Sequence, residues 1–383
     1  MKVEFEYKLS DVISIPGRAL KAKKIIVASF FLLAALIFYD FFTYLAVLFD
    51  GKGIGVLFDQ YGLLPITLVD FTGSVSRVAY FTGIAAAIWL LMAGMAGVAI
   101  FDFEMMRGNP FFTSLEAIRF SLGRLGQIFL SHFAILIFLA LILFLGVIVG
   151  LITRIPYLGE WLYAIFLIFP NFIIVLFSVL ILFVLSLSIL IMPAIIAADR
   201  HGETFNSILE LFSVTTKQPL RWIGHTIYSL FTSKLGGFIF AYFAYRALQL
   251  LLYTTSLGGG EKIGNLFASG LHHLPVDSPL FGFITNIIPD LNFGFYMNFG
   301  QGIPQSGLAG HLMAISLFGI FVIIVGYMFS VVATGQAYSY AIIRRIRDGH
   351  LITGEKPLKF ELGWINPVEG TPGEPKSFDP TRI

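Results

Sequence analysis

The chain of 383 residues is 57% hydrophobic and only 13% charged, with a mean hydropathy of +0.85, which leaves too little polar side chain to cover a soluble globule of that size. A net charge of +2 gives no electrostatic footprint for nucleic acid, and the absence of cysteine excludes disulfides, thiolate metal sites and cysteine nucleophiles. Apolar runs longer than about 18 residues recur along the length, so the fold class expected is an all-α polytopic membrane protein, not a β-barrel.

Residues 1–24 are read as a cytoplasmic interfacial segment, with apolar Leu9, Val12, Ile13 and Leu20, a basic end, and Pro16 with Gly17 breaking any single helix. Residues 25–343 are read as a six-helix transmembrane domain. Its first span, Ile25 to about Phe49, is too long for a signal-peptide core and lacks a small-residue cleavage site, so a retained span is expected. An outer loop at 50–77 leads to a second span from about Val78 to Phe103. The linker 107–127 is expected to be an amphipathic helix: Leu115, Ile118, Leu122 and Leu125 follow a three-and-four spacing, and Thr113 with Glu116 has capping-box spacing.

The third span, about Ile128 to Ile152, carries Gly146 and Gly150 in GVIVG, a spacing that lets helix backbones approach closely. After an outer loop at 153–160, the apolar stretch Trp161 to Ala198 is too short for two crossings at ~1.5 Å per residue. We read it as a short interfacial piece, a break at Pro170 and Asn171, and one span from about Phe172 to Ile196. The linker 199–222 repeats the capping spacing at Ser207 and Glu210, with Phe205, Ile208 and Phe212 on one face. Lys234, Gly236 and Gly237 interrupt the fifth apolar stretch, which suggests an interfacial piece followed by a crossing from about Leu235 to Tyr253. The outer loop 254–310 holds two short segments with helical character, Glu261 to Leu274 and Pro279 to Ile288. The last span runs from about His311 to Ile343, and the proline-rich tail 344–383 is expected to be cytoplasmic and partly disordered.

Basic residues fix the expected orientation. Six spans put 19 of the 25 on one side and only Lys52, Arg77, Arg154 and Lys262 on the other, with Lys234 and Arg246 inside the fifth apolar stretch. The reading is three hairpins with both termini in the cytoplasm, in a bacterial cytoplasmic (inner) membrane. Each hairpin closes on that side in a charge-plus-glycine stop: FEMMRGNP, AADRHGET and RIRDGHLI. Glycine past a helix end suits the left-handed conformation and basic residues suit the last turn, so three repeated units are suggested. The linkers FFTSLEAIRFSLGRLGQ and ETFNSILELFSVTTKQPLRW resemble those in the multi-pass membrane domain attached to some glycerophosphodiester phosphodiesterases and in related uncharacterised helical families. The resemblance covers residues 105–235, implies a membrane-embedded helical module, and transfers no catalytic residue.

Intramembrane polar groups are the place to look for function. Asp40 lies about 16 residues into its span from Lys24, ~24 Å along the axis. Arg246, seven residues before Tyr253, has similar depth, which leaves two readings: an Asp40 to Arg246 ion pair, or each side chain snorkelling separately to headgroups or water. Lys234 is expected to snorkel to the cytoplasmic face, and His132 and His225 to be structural. On the linkers, Arg119, Arg124, Lys217 and Arg221 are candidate lipid or partner contacts. His272, His273 and Asp277 fall short of a ligand set, so neither metal nor cofactor is expected. No HExxH or GxSxG occurs, and GKGIG lacks the context of a phosphate loop. The function these features suggest is a non-enzymatic scaffold or subunit of a larger membrane assembly, with membrane lipids and other membrane-protein subunits as partners. The alternative is a transporter or permease component for a lipid or other amphiphile.

Overall fold

A computed structural model describes residues 5–55, 70–274, 282, 284–288, 291–292, 302–304 and 307–358. Six helices in it are long and apolar enough to cross a membrane. They are α3 (Ala22–Phe49), α4 (Ser74–Met106), α6 (Leu125–Ile152), α8 (Ile168–Ala198), α10 (Pro219–Gly259) and α12 (Leu308–Asp348). Shorter elements sit between or before them: α1 (Leu9–Ile13), α2 (Ile15–Ala19), α5 (Ser114–Gly123), α7 (Leu158–Leu162), α9 (Thr204–Lys217) and α11 (Glu261–His272). Strands β1 (Asn286–Ile288) and β2 (Leu291–Asn292) pair antiparallel in the longest loop. The protein is thus an all-α polytopic membrane protein of six spans in three hairpins. The end that carries α5 and α9 is called the linker side below, and the other the loop side.

The core lies where α4 and α12 cross. Every residue from Met92 to Glu104 on α4, and from Ala333 to Ile343 on α12, is buried. Small residues make this possible, because helices in lipid gain most by letting backbones meet. A Cβ on Gly94 would lie 2.7 Å from Phe31 Cβ, and one on Gly326 would lie 2.2 Å from Ser29 Oγ. Toward the loop side the packing opens. α6 buries nothing beyond Leu139 and α8 nothing before Ser178, so their far halves stand away from the core as a pair of arms. At 41 residues each, α10 and α12 are ~61 Å long, about twice a hydrocarbon core. The excess carries α11, with Leu248, Phe267 and Leu317 forming their own apolar cluster.

Several local expectations change. The chain does not break at Pro170 and Asn171. Instead, a π-helical turn at Tyr163–Leu167, with Ile168 N–H donating to Tyr163 O, shifts the ladder just ahead of the proline, and α8 then runs on unbroken. Proline removes an N–H, and the wider turn absorbs that loss. The fifth span is one continuous helix. Gly236 and Gly237 mark close approach and not a break, since Cβ atoms there would meet Tyr327 Oη at 2.7 Å and Met328 Cγ at 2.5 Å.

The linkers also turn differently. Thr113 accepts from Glu116 N (3.2 Å) while Glu116 accepts from Thr113 N (2.6 Å), the predicted cap of α5. Yet α5 buries Ala117, Phe120 and Ser121 and leaves Leu115 and Leu122 exposed. Ala117 and Ser121 let α5 lie close against Gly97 of α4, with Phe120 buried beside them, and of the stripe only Ile118 and Leu125 pack against the core. α9 starts at Thr204, ahead of the expected Ser207 cap, because Asp199 Oδ2 already accepts from Gly202 N (3.1 Å) and Glu203 N (3.1 Å). In the first segment the helix break falls at Ser14. Pro16 occupies the first turn of α2, where its missing N–H costs nothing.

Candidate functional site

Of the three stops, the first and third end their helices as expected, with Gly108 and Gly349 at φ of +87° and +68°, while α8 ends on extended Asp199 and Gly202, at +75°, lies just ahead of α9. The fold then gathers them around one carboxylate that no stop contains. Glu355, just past the 3₁₀ turn Ile352–Gly354, accepts from Arg107 Nη2 at 2.6 Å and Nε at 2.9 Å. Arg200 Nε lies 3.3 Å from it, Arg344 Nη1 3.5 Å and His350 Nε2 2.7 Å. One basic residue of the first stop, one of the second, His350 of the third and Arg344 just before it therefore share it. Burial alone would raise the Glu355 carboxyl. The charges of Arg107 and Arg200 and the bond to His350 outweigh burial and hold it below the ordinary carboxylate range.

Glu104 completes this cluster. It accepts from Arg107 Nη1 at 3.1 Å and from Leu358 N at 3.1 Å, while Arg107 Nη2 also donates to Ala198 O at 3.1 Å. Arg200 donates to Lys356 O. Residues 355–358 are in this way strapped across the linker ends of α4, α8 and α12.

Deeper in the core, Lys24 Nζ lies 2.6 Å from Asp102 Oδ1 and donates to Thr334 Oγ1 at 3.0 Å. Lys24 is 1% exposed and Asp102 0%. The pair joins α3, α4 and α12 at one point. Nearby, Arg18 donates to Asp11 (3.0 Å) and Tyr338 Oη (2.8 Å), which ties α1 and α2 to α12. Glu210 on α9 accepts from Arg347 Nη2 at 2.6 Å and from Tyr340 Oη at 3.0 Å. The chemistry of this set is ion pairing between spans.

Asp40 and Arg246 form no ion pair with each other. Arg246 donates to Gln249 Oε1 at 2.8 Å and lies over the Tyr242 ring at 5.2 Å, whereas Asp40 Oδ1 is buried without a hydrogen-bond partner among the described residues. α12 packs against both α3 and α10. Arg119, Lys217 and Arg221 are exposed on the linker side. Arg124 is not a free contact: it turns inward, donating to Gln127 Oε1 (3.2 Å) and Arg200 O (2.9 Å). Lys234 does not reach for the linker side but donates to Ile284 O at 2.8 Å, in the loop between α11 and α12.

His132 shares a 2.8 Å hydrogen bond with Ser188 Oγ, and His225 one of 3.1 Å with Ser339 Oγ. His273 stacks on His311 with ring centroids 4.1 Å apart and lies 5.6 Å from His272. Asp277, the third residue of that sequence cluster, lies outside the described residues. Among the described residues no group of three metal-ligating side chains is found.

Sequence reasoning missed Lys24, Asp102, Glu104 and Glu355. The signal for the first three is FDFE at 101–104: two carboxylates buried ahead of a stop need cations, and Lys24 opens a span on the same side. No family model, no curated protein and no solved structure matches this chain.

Proposed function

We propose that the chain is a non-enzymatic scaffold or subunit of a larger membrane assembly, with its linker side and both termini in the cytoplasm and a bacterial inner membrane as its location. The observation that carries this reading is the division of the molecule. Charged side chains on the linker side pair with one another to lock spans together, while the α6 and α8 arms present large apolar side chains on every face, Phe144, Phe172 and Phe177 among them. An apolar groove of about 530 Å³ between α3 and α12 is lined by residues such as Ile26, Phe30 and Val322 and contains neither Asp40 nor Arg246. A route for a charged substrate would need polar lining there. The orientation rests on the basic-residue count, and on it Arg119, Lys217 and Arg221 contact anionic headgroups or a partner.

Purification of the full chain from its native membrane in a gentle detergent tests the reading. Stoichiometric co-purifying membrane proteins are expected, and a lone monomer overturns it. The second reading, a permease component for an amphiphile, has one observation in its favour: the chain between α11 and α12 comes close enough to the spans for the Ile284 carbonyl to accept from Lys234 of α10.

A further inference from the structure

We propose that a pocket at the loop end of α6, α7 and α8 binds the primary ammonium headgroup of a phosphatidylethanolamine-type lipid. The pocket, about 500 Å³, is lined by Gly146, Gly150, Thr153, Glu160, Tyr163 and Asn171. The GVIVG spacing predicted close helix packing, but here it hollows the surface. A Cβ on Gly150 would meet nothing within 4 Å, and one on Gly146 would sit 3.6 Å from Asn171 Oδ1.

The π turn just before Pro170 sets the angle at which Asn171 enters. Its Nδ2 lies 3.5 Å from Tyr163 Oη, and its Oδ1 is buried with no hydrogen-bond partner among the described residues. Of the two hydroxyls beside it, Thr153 Oγ1 donates to Gly150 O at 2.6 Å, and Tyr163 Oη accepts from the Asn171 amide. The one charged wall is the Glu160 carboxylate, with Asn171 Oδ1 as the unmet acceptor beside it. Leaving a buried acceptor unmet is costly.

A ligand that answers this set carries positive charge and several N–H donors, as a primary ammonium does. The surroundings select an amphiphile. Val147, Leu151, Phe166 and Phe169 beside the pocket are apolar and exposed, so acyl chains lie along the arms while the headgroup enters. A choline headgroup is cationic but has no N–H, and a glycerol headgroup has donors but no charge.

The test uses the full chain, delipidated and returned to equimolar phosphatidylethanolamine and phosphatidylcholine, with bound lipid identified by native mass spectrometry. About tenfold enrichment of phosphatidylethanolamine is expected, as for one hydrogen bond of ~1.4 kcal/mol. Asn171→Leu and Gly150→Leu should each abolish the enrichment. In phosphatidylcholine alone Asn171→Leu should melt no lower than the unaltered chain, because it removes an unmet acceptor instead of a contact. Equal retention of the two lipids overturns the proposal and means that water meets Asn171. Enrichment that survives both substitutions overturns it as well. So does its complete displacement by free ethanolamine, which would make the site one for soluble amines.

Discussion

The Lys24 and Asp102 pair gives the sharpest quantitative expectation. Both side chains are essentially inaccessible and their charged atoms are 2.6 Å apart, with Thr334 Oγ1 as a further partner of the lysine. Lys24→Met leaves a buried carboxylate, and Asp102→Leu a buried ammonium, each without its counter-charge. Breaking one partner of a buried pair costs about 3–5 kcal/mol, whereas replacing both with apolar groups of similar volume is often neutral or stabilising. Each single substitution should therefore lower the folded-to-unfolded ratio by roughly 100-fold or more, and the double substitution should recover to within about 1 kcal/mol of the original. Denaturant titration in mixed micelles, read by the retained monodisperse fraction, measures all four corners of the cycle. The reasoning fails if either single change costs less than about 1 kcal/mol, or if the double change costs the sum of the two.

The same cycle on Asp40 and Arg246 should be additive within about 0.5 kcal/mol, since the residues do not touch; a coupling above about 1 kcal/mol would restore the ion pair. Glu355 has its carboxyl held below the ordinary range by Arg107, Arg200 and His350 against the opposing effect of burial, so the stability it supplies is full above the unfolded value of about 4.3 and is lost as pH falls through its lower folded value. Hydrogen exchange at Gly354 and Leu358, corrected for intrinsic rates, should be flat from about pH 8 to 5 and rise only below about 4, while Glu355→Gln should raise it at neutral pH. Exchange unchanged by Glu355→Gln would show that the strap does not depend on the cluster. Lys234→Leu should leave Ile284 O without that donor and free the loop; because the chain has no native cysteine, labelling of the buried position Thr285→Cys reports it directly, and equal labelling with and without Lys234 would count against the contact.

Six spans were legible because hydropathy over about 18 residues reports the solvent of a helix, and in a membrane that solvent is lipid. Two of the stops were legible as well, since Gly108 and Gly349 each take the left-handed conformation past a helix end, whereas α8 closes on extended Asp199 before Gly202 is reached. Their convergence was not, because nothing local to FEMMRGNP, AADRHGET or RIRDGHLI names Glu355 as the common acceptor. Counting Lys24 among headgroup residues failed for a related reason: a charge near a span end reads the same whether it faces headgroups or Asp102. The α5 stripe misled in the opposite sense. Periodicity correctly marks a face, but in lipid the face holding Leu115 and Leu122 turns outward and Ala117 turns in. Gly236 and Gly237, read as an interruption, are the points at which α10 meets Tyr327 and Met328.

The two ends of the molecule differ in what holds them, and that difference locates any partner. On the linker side the hairpins are joined by ion pairs and by glycine contacts, and the last polar tie between the arms is the His132 to Ser188 hydrogen bond. Ile135, Leu139, Ile181 and Val184 then close the packing. From Leu139 to Ile152 the first arm continues for ~20 Å without burying another residue. An arm of that length, covered with Phe and Leu, touches its own chain without burying a residue against it. A single cysteine at Phe144 or Leu176, both large and exposed on the arms, should crosslink in native membranes to a second polypeptide more efficiently than one at the equally exposed Phe81 of α4. If crosslinking is no greater at the arms than at Phe81, lipid alone covers them and the subunit reading loses its main support.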